Sequence, residues 1–122
     1  MAPPRILVFD DDLVSRPEFL GHLPAEFIYR GHADQALADV EQVMPDMVFM
    51  DFAMGTAVDG VTATQTLRRF YALEVLPIVA ISSDARMNRL MLMAGATEGV
   101  PKMALPERFR EIVHLLPVRR DP

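Results

Sequence analysis

The feature that most constrains this chain is a series of short apolar runs, each of which ends in polar or charged residues. The runs at 5–9, 47–50 and 77–81 are almost entirely apolar, as strands buried on both faces of a parallel sheet are. A more polar run at 26–30 and a brief one at 98–101 indicate two further strands. Parallel strands of this kind need helices on both faces to cover them.

Helical signals lie between these runs. Ser15 and Glu18 have the spacing of a capping box, with Pro17 in the first turn, and predict a helix to about Leu23. Apolar residues at helical spacing, or helix start and stop signals, predict four more helices, at 33–44, 61–73, 84–94 and 105–116. The alternation of strand and helix predicts a doubly wound α/β fold. We expect one domain over 1–122, with its core at about 5–116 and no output domain.

Composition excludes several classes of function. The net charge of −5 argues against non-specific binding to nucleic acid, which requires a basic surface. No apolar stretch approaches the roughly 20 residues that span a bilayer. The N-terminus lacks the pattern of a signal peptide, and the chain has no cysteine for disulfides or thiolate metal sites. We therefore expect a cytoplasmic protein without a membrane partner.

Chemically active residue types follow four of the predicted strands. In open α/β sheets the functional site lies beyond the carboxyl ends of the strands, so these residues are expected to converge there. One of them, Lys102, is the only lysine among twelve basic residues. The full set consists of Asp10, Asp11 and Asp12 after the first strand, Asp51 after the third, Ser82 and Ser83 after the fourth, and Lys102 after the fifth.

Such a set suits phosphoryl transfer to a carboxylate. Carboxylates that converge from two strands repel each other unless a cation lies among them, and their hard oxygen atoms suit Mg²⁺. A carboxylate beside a divalent ion, a hydroxyl and an ammonium can attack phosphorus while its neighbours neutralise the equatorial oxygens. Any one of these residues alone would be an ordinary turn, cap or surface residue; the prediction depends on their occurring together.

Four segments resemble the bacterial response-regulator receiver domains, over about residues 5–116. Residues 6–11 resemble the first strand of that family with its acidic pair, and 45–51 resemble the segment before the phosphorylated aspartate. Residues 76–83 resemble the fourth strand, whose terminal hydroxyl residue binds the phosphoryl group, and 94–102 resemble the run that ends in the lysine.

The resemblance implies a flavodoxin-like sheet of strand order 2-1-3-4-5 and a phosphoacceptor at Asp51. It also implies that Mg²⁺ is held by Asp10, often through water, by Asp11 and Asp51, and by the backbone carbonyl of Ala53. Ser82 and Lys102 would contact the phosphoryl group. The expected partners are a histidine kinase or phosphotransfer protein and an unidentified downstream protein, which could bind the 84–116 face. Such a domain is not an enzyme for other substrates, since it catalyses only its own phosphorylation and slow dephosphorylation.

The sequence departs from the family pattern at three places. Gly55 replaces a proline, and Asp59 arrives one residue late, which predicts a more mobile loop. Met103 replaces the proline that often follows a cis peptide, so we expect a trans bond there. Gly99 stands where the family has an aromatic switch residue, so the usual signal readout is less well supported than the chemistry.

Two alternatives stay open at this point. Departures such as Gly99 and Met103 favour a receiver-like interaction module that works without phosphorylation, whereas the intact set of charges opposes it. The run from Asp10 to Val14 also fits the opening motif of haloacid-dehalogenase-type phosphatases, in which Asp10 would be the nucleophile. The short chain, the lack of an acidic pair after Lys102 and the unused Asp51 count against that enzyme.

Overall fold

A computed structural model describes residues 2–117, and it places five parallel strands in one sheet of order β2-β1-β3-β4-β5. This is the predicted flavodoxin-like order. The strands are β1 (Arg5–Phe9), β2 (Glu26–Arg30), β3 (Met47–Met50), β4 (Ile78–Ala80) and β5 (Glu98–Gly99). The helices are α1 (Ala36–Val43), α2 (Gly60–Arg68), α3 (Ala85–Ala94) and α4 (Leu105–Val113).

Two apolar cores lie on opposite faces of the sheet, because alternate residues of each strand point to opposite sides. One core joins residues such as Leu7 and Val48 to α1, α2 and α3. The other joins Val8 and Phe49 to α4 and to the segment between β1 and β2. No helix in residues 2–117 has the length and hydropathy needed to cross a membrane.

The prediction of a helix between Ser15 and Leu23 is wrong. That segment forms two short 3-10 turns, Leu13–Ser15 and Pro17–Phe19. Proline disfavours the helical region for the residue before it, and Arg16, with φ −132° and ψ 60°, interrupts the two turns. On the face of the sheet that carries α4, the rest of the surface is therefore covered by a compact loop in place of a second helix. The buried Leu13 and Leu20 anchor this loop.

The helix predicted at 61–73 also ends early, at Arg68. The Arg68 guanidinium donates to the carbonyls of Tyr71, Leu76 and Gly95, at 3.2, 2.7 and 2.6 Å. Because these contacts satisfy carbonyls of the irregular chain that follows, the segment from α2 to β4 needs no further helical turn. The other predicted elements agree with the structure apart from a few residues at their ends.

Candidate functional site

The residues singled out by the sequence meet at the carboxyl edge of the sheet. Phe9 pairs with Met50, and Met50 pairs with Ala80, so β1, β3 and β4 end side by side. Asp10 and Asp51 follow two of these strands directly, and the N–H of Asp51 donates to the carbonyl of Phe9 at 2.9 Å. The parallel register thus brings two carboxylates that are far apart in sequence to one point.

Lys102 reaches this point from the loop after β5. Its ammonium Nζ lies 2.8 Å from Asp10 Oδ2 and 3.5 Å from Asp51 Oδ2. Asp12 Oδ2 is 3.9 Å away. Burial lowers the pKa of Lys102, but contact with Asp10 and the charges of Asp51 and Asp12 outweigh it, so the pKa lies above its usual value. Lys102 is therefore charged at neutral pH.

Asp10 is fully buried, and its two oxygens have different surroundings. Oδ1 accepts from the backbone N–H groups of Asp12 and Leu13, at 2.8 and 3.0 Å. These bonds fix the carboxylate at the start of the loop. Oδ2 forms an ion pair with the Lys102 ammonium at 2.8 Å. Because a carboxylate oxygen has a second lone pair, Oδ2 can also bind a metal ion beside the ammonium.

Asp51 is 8% exposed, and only part of its carboxylate is satisfied. Oδ1 accepts from the N–H of Phe52 at 2.9 Å. Burial, and after it repulsion from Asp10, raises the pKa of Asp51 to about 6, although Lys102 and the Phe52 N–H act in the opposite direction. Two like charges in a poorly solvated site are costly. Asp51 is therefore an electrostatically destabilised carboxylate in the absence of a further cation.

A metal ion fits this group of carboxylates. Asp10, Asp11 and Asp51 each offer one oxygen, and these oxygens all lie within 4.8 Å of one another. Asp11 is exposed, whereas the other two are buried, so the cluster opens to solvent on one side. The donor set is made of hard carboxylate oxygens, which are the ligands that Mg²⁺ prefers. Ala53, the predicted carbonyl ligand, lies in the exposed loop after β3; its role stays a prediction.

Ser82 lies just beyond β4 and is buried. Its Oγ accepts from the N–H of Asp84 at 3.0 Å. Its backbone is held by the side-chain amide of Asn88: the N–H of Ser82 donates to Oδ1 at 2.8 Å, and Nδ2 donates to the Ser82 carbonyl at 2.9 Å. The neighbouring Ser83, by contrast, is exposed. Ser82 is thus the hydroxyl that the fold fixes in place.

The loop between β3 and α2 contains the departures noted in the sequence. Gly55 has a φ of +76°, in the left-handed region that favours glycine. Thr56 Oγ1 donates to Asp34 Oδ1 at 2.7 Å and ties the loop to the chain before α1. Asp59 caps α2 by accepting from the Thr62 N–H at 2.9 Å. The greater mobility expected for this loop stays a prediction.

Gly60 is required by a close approach. A Cβ atom there would lie 2.1 Å from the carbonyl oxygen of Asp51 and 2.7 Å from Met91 Sδ. The N–H of Gly60 donates to the carbonyl of Phe52 at 2.7 Å, which draws the start of α2 against the acceptor loop. The same Met91 is fully buried, whereas Met93 on the same helix is 84% exposed. Gly60 therefore allows α2 and α3 to pack directly behind Asp51.

The remaining departures have clear structural outcomes. No peptide bond within residues 2–117 is cis, so the bond before Met103 is trans, as expected. Gly99 lies in β5, next to Asn88 and Leu92 of α3. Sequence reasoning missed Asn88 and the part played by Asp12 as a third carboxylate near Lys102. A single amide on the same helical face as the core residue Met91 was the available signal for Asn88.

The comparisons with known proteins agree with this geometry. A two-component system response regulator/GGDEF domain protein, described as putative, is 26% identical over 93% of this chain and 49% of its own, with a TM-score of 0.78. The chain thus spans about half the length of that protein. The receiver domain of NtrX from Brucella abortus is 25% identical over 89% of this chain and 94% of its own, with a TM-score of 0.73.

A third structure, the chemotaxis protein CheY4 from Vibrio cholerae, has a TM-score of 0.73 at 19% identity and covers 94% of this chain and 99% of its own, so it supports the fold alone. No curated protein matches the chain significantly. The profile of the response regulator receiver domain matches residues 6–114, and the strand order is that of the same fold. These findings do not support the phosphatase alternative. The chain belongs to the response-regulator receiver domain family.

Proposed function

We propose that this chain accepts a phosphoryl group on Asp51 from a histidine kinase or phosphotransfer protein, in a Mg²⁺-dependent reaction, and signals by protein contact. The observation that carries the proposal is the setting of Asp51. It is a buried carboxylate, it lies 3.5 Å from the Lys102 ammonium, and it shares a metal-sized cluster with two further carboxylates. Asp10, Asp11 and Asp51, with the backbone carbonyl of Ala53, would hold Mg²⁺.

The chemistry assigned to the chain is an in-line substitution at phosphorus. A carboxylate oxygen of Asp51 forms a bond to phosphorus, the bond from phosphorus to the donor's imidazole nitrogen breaks, and its electron pair stays on that nitrogen. Lys102 neutralises a phosphoryl oxygen, and the Ser82 hydroxyl donates to another. Mg²⁺, when bound, lowers the negative charge on the phosphoryl oxygens and the carboxylates.

The electrostatics support an acceptor at Asp51 over one at Asp10. Asp10 is fully buried, and its Oδ1 is committed to two backbone N–H groups. Asp51 keeps some exposure, and one backbone N–H contacts it. Asp10 is thus better suited to fix a cation, and Asp51 to attack. We further propose that the domain acts on no separate substrate and works in the cytoplasm through its downstream partner.

The test is incubation with acetyl phosphate and Mg²⁺, read by intact mass. The wild-type protein should gain one phosphoryl group, and Asp51→Asn should gain none. Asp59→Asn is the matched control, since Asp59 lies in the same loop but caps α2; it should be phosphorylated like the wild type. A folded wild-type protein that gains no phosphoryl group and does not respond to beryllofluoride would overturn the proposal.

A second candidate is a receiver that binds a partner without phosphorylation. It is favoured by Gly99, which has no side chain to report a change at Asp51, and by the two hydrogen bonds that hold Ser82. In that case the partner should bind wild-type protein and Asp51→Asn with equal affinity. A difference in affinity between phosphorylated and unphosphorylated protein would exclude this candidate.

A further inference from the structure

Asn88 is the one buried polar side chain on α3 among the described residues, and its amide forms two hydrogen bonds with a single residue. Oδ1 accepts from the N–H of Ser82, and Nδ2 donates to the carbonyl of Ser82. The amide therefore pairs with both backbone groups of Ser82, as a neighbouring strand would.

This pairing continues the sheet beyond the last bond between the ends of β4 and β5. That bond runs from the Val100 N–H to the carbonyl of Ala80, at 2.8 Å, and the backbone groups of Ser82, two residues later, point to the same side. Beyond it, the buried backbone of Ser82 needs a donor and an acceptor from elsewhere, because unpaired buried groups are costly. Asn88 supplies both from a helix, so the position of Ser82 depends on the position of α3.

The space for Asn88 is provided by Gly99. A Cβ atom at position 99 would lie 3.2 Å from Asn88 Cβ and 3.7 Å from Asn88 Cγ. It would also lie 3.7 Å from Leu92 Cδ1. A larger side chain at position 99 would therefore displace Asn88 from Ser82. The absence of a side chain at Gly99 thus makes room for the amide of Asn88 beside Ser82.

We infer that Asn88 is a positioning residue that fixes the Ser82 hydroxyl at the phosphoacceptor site and links any movement of Ser82 to α3. The inference rests on the proposed function of Asp51. Phosphorylation would replace the single negative charge of the Asp51 carboxylate with about −2 spread over three acceptor oxygens beside Ser82. Because both hydrogen bonds join the same two residues, Ser82 and Asn88 move together. A change at Asp51 is thus passed to α3 by an amide and not by a ring at position 99.

The first experiment tests the positioning in the unphosphorylated protein. Asn88→Leu keeps the approximate shape and removes both hydrogen bonds. Hydrogen exchange at the Ser82 amide should become about tenfold faster or more. Met91→Leu is the matched control, because Met91 is buried on the same helix, three residues after Asn88, and its side chain has no hydrogen-bonding N–H or amide oxygen. It should leave Ser82 exchange unchanged once global stability is accounted for.

The second experiment tests the link to function. With acetyl phosphate and Mg²⁺, Asn88→Leu should lower the maximal phosphorylation rate about tenfold. The half-saturating acetyl phosphate concentration and the Mg²⁺ affinity should not change, since Asn88 contacts neither. With beryllofluoride, backbone amides of α3 should shift in NMR spectra of the wild type and Met91→Leu, but not in those of Asn88→Leu.

Several outcomes would overturn the inference. Unchanged Ser82 exchange in Asn88→Leu, an equal loss of rate in Met91→Leu, or α3 shifts that persist without Asn88 would each do so. If Asn88→Leu does not fold, Asn88→Ala, which also removes both hydrogen bonds to Ser82, must show the same changes. A wild-type protein that cannot be phosphorylated would remove the proposed function and the link to α3, whereas Ser82 exchange would still decide the positioning.

Discussion

The site has two halves, which differ in the interactions that hold their side chains in place. In the acceptor half, formed by Asp10, Asp51 and Lys102, two buried carboxylates share one ammonium, at 2.8 and 3.5 Å. In the readout half, formed by Ser82, Asn88 and Gly99, neutral groups satisfy each other by hydrogen bonds and close packing.

This difference indicates which half is prepared for a ligand. Repulsion between buried carboxylates is costly, so the acceptor half gains stability when a cation binds. The groups of the readout half already satisfy each other, so under the proposed function this half should change only when a phosphoryl group on Asp51 displaces Ser82. The predictions below test this division, from the largest expected effect to the smallest.

Removal of the lysine should affect only the acceptor half. Lys102→Ala takes away the ammonium that neutralises Asp10 and Asp51, and the phosphorylation rate should fall by about a hundredfold or more. Ser82 amide exchange should stay as in the wild type. Arg89→Ala, at an exposed cation on α3, is the control and should be phosphorylated normally. A rate within about threefold of the wild type, which corresponds to about 0.7 kcal/mol, would contradict the role of Lys102.

A substitution at Gly60 should disturb both halves. In Gly60→Ala the new Cβ meets the Asp51 carbonyl oxygen and Met91 Sδ, so backbone must shift, and we expect a loss of about 3 kcal/mol in unfolding free energy. Gly55→Ala is the comparison, because it has open space but a left-handed φ, and should cost about 1 kcal/mol. Chemical denaturation measures both. Equal losses would show that backbone conformation, and not the close approach, decides at Gly60.

Because the pKa of Asp51 is raised, replacing its carboxyl by a neutral group should increase the free energy of unfolding by an amount that depends on pH. The pKa of the carboxyl is close to its ordinary value of 3.8 in the unfolded chain and about 6 in the folded protein. The folded protein therefore binds more protons between these two pH values. Unfolding free energy of the metal-free wild type therefore falls as pH rises from about 4 to about 6. Asp51→Asn lacks this loss and should be more stable at pH 7 by on the order of 2 kcal/mol.

Denaturation of both proteins across this pH range, without divalent ions, measures the difference. It should disappear below pH 4, where Asp51 is protonated in both states. Addition of Mg²⁺ should stabilise the wild type more than Asp51→Asn, because the variant has lost one of the ligand carboxylates. A variant that is less stable than the metal-free wild type at pH 7 would contradict the electrostatic account.

The smallest effect is expected at the cap of α2. Asp59→Ala removes the acceptor for the Thr62 N–H and should cost about 1 kcal/mol in unfolding free energy, as lost N-caps do. Asp59→Asn keeps an acceptor oxygen and should cost less. Neither variant should change the phosphorylation rate by more than about twofold, since this carboxylate belongs to neither half and 1 kcal/mol corresponds to only a few-fold. A larger change in rate would place the loop inside the acceptor half.

The elements that were predictable are those with strong local signals. Buried runs such as 47–50 could be recognised as strands because they are apolar throughout and end in a polar residue. The residues of the acceptor half could be named because each follows a strand directly. The segment after Asp12 was predicted wrongly. Ser15 and Glu18 do have the spacing of a capping box, but Pro17 and Pro24 leave too few residues between them for a stable helix.

The sequence by itself determined the type of fold and the identity of the charged residues at the sheet edge, because both depend on local patterns and on a general rule of parallel sheets. Only the tertiary structure decided how these residues are satisfied. It placed Asp10 and Asp51 around the Lys102 ammonium, brought Asn88 to the backbone of Ser82 and gave it the space beside Gly99. These outcomes depend on contacts between strands and helices that no spacing along the chain specifies.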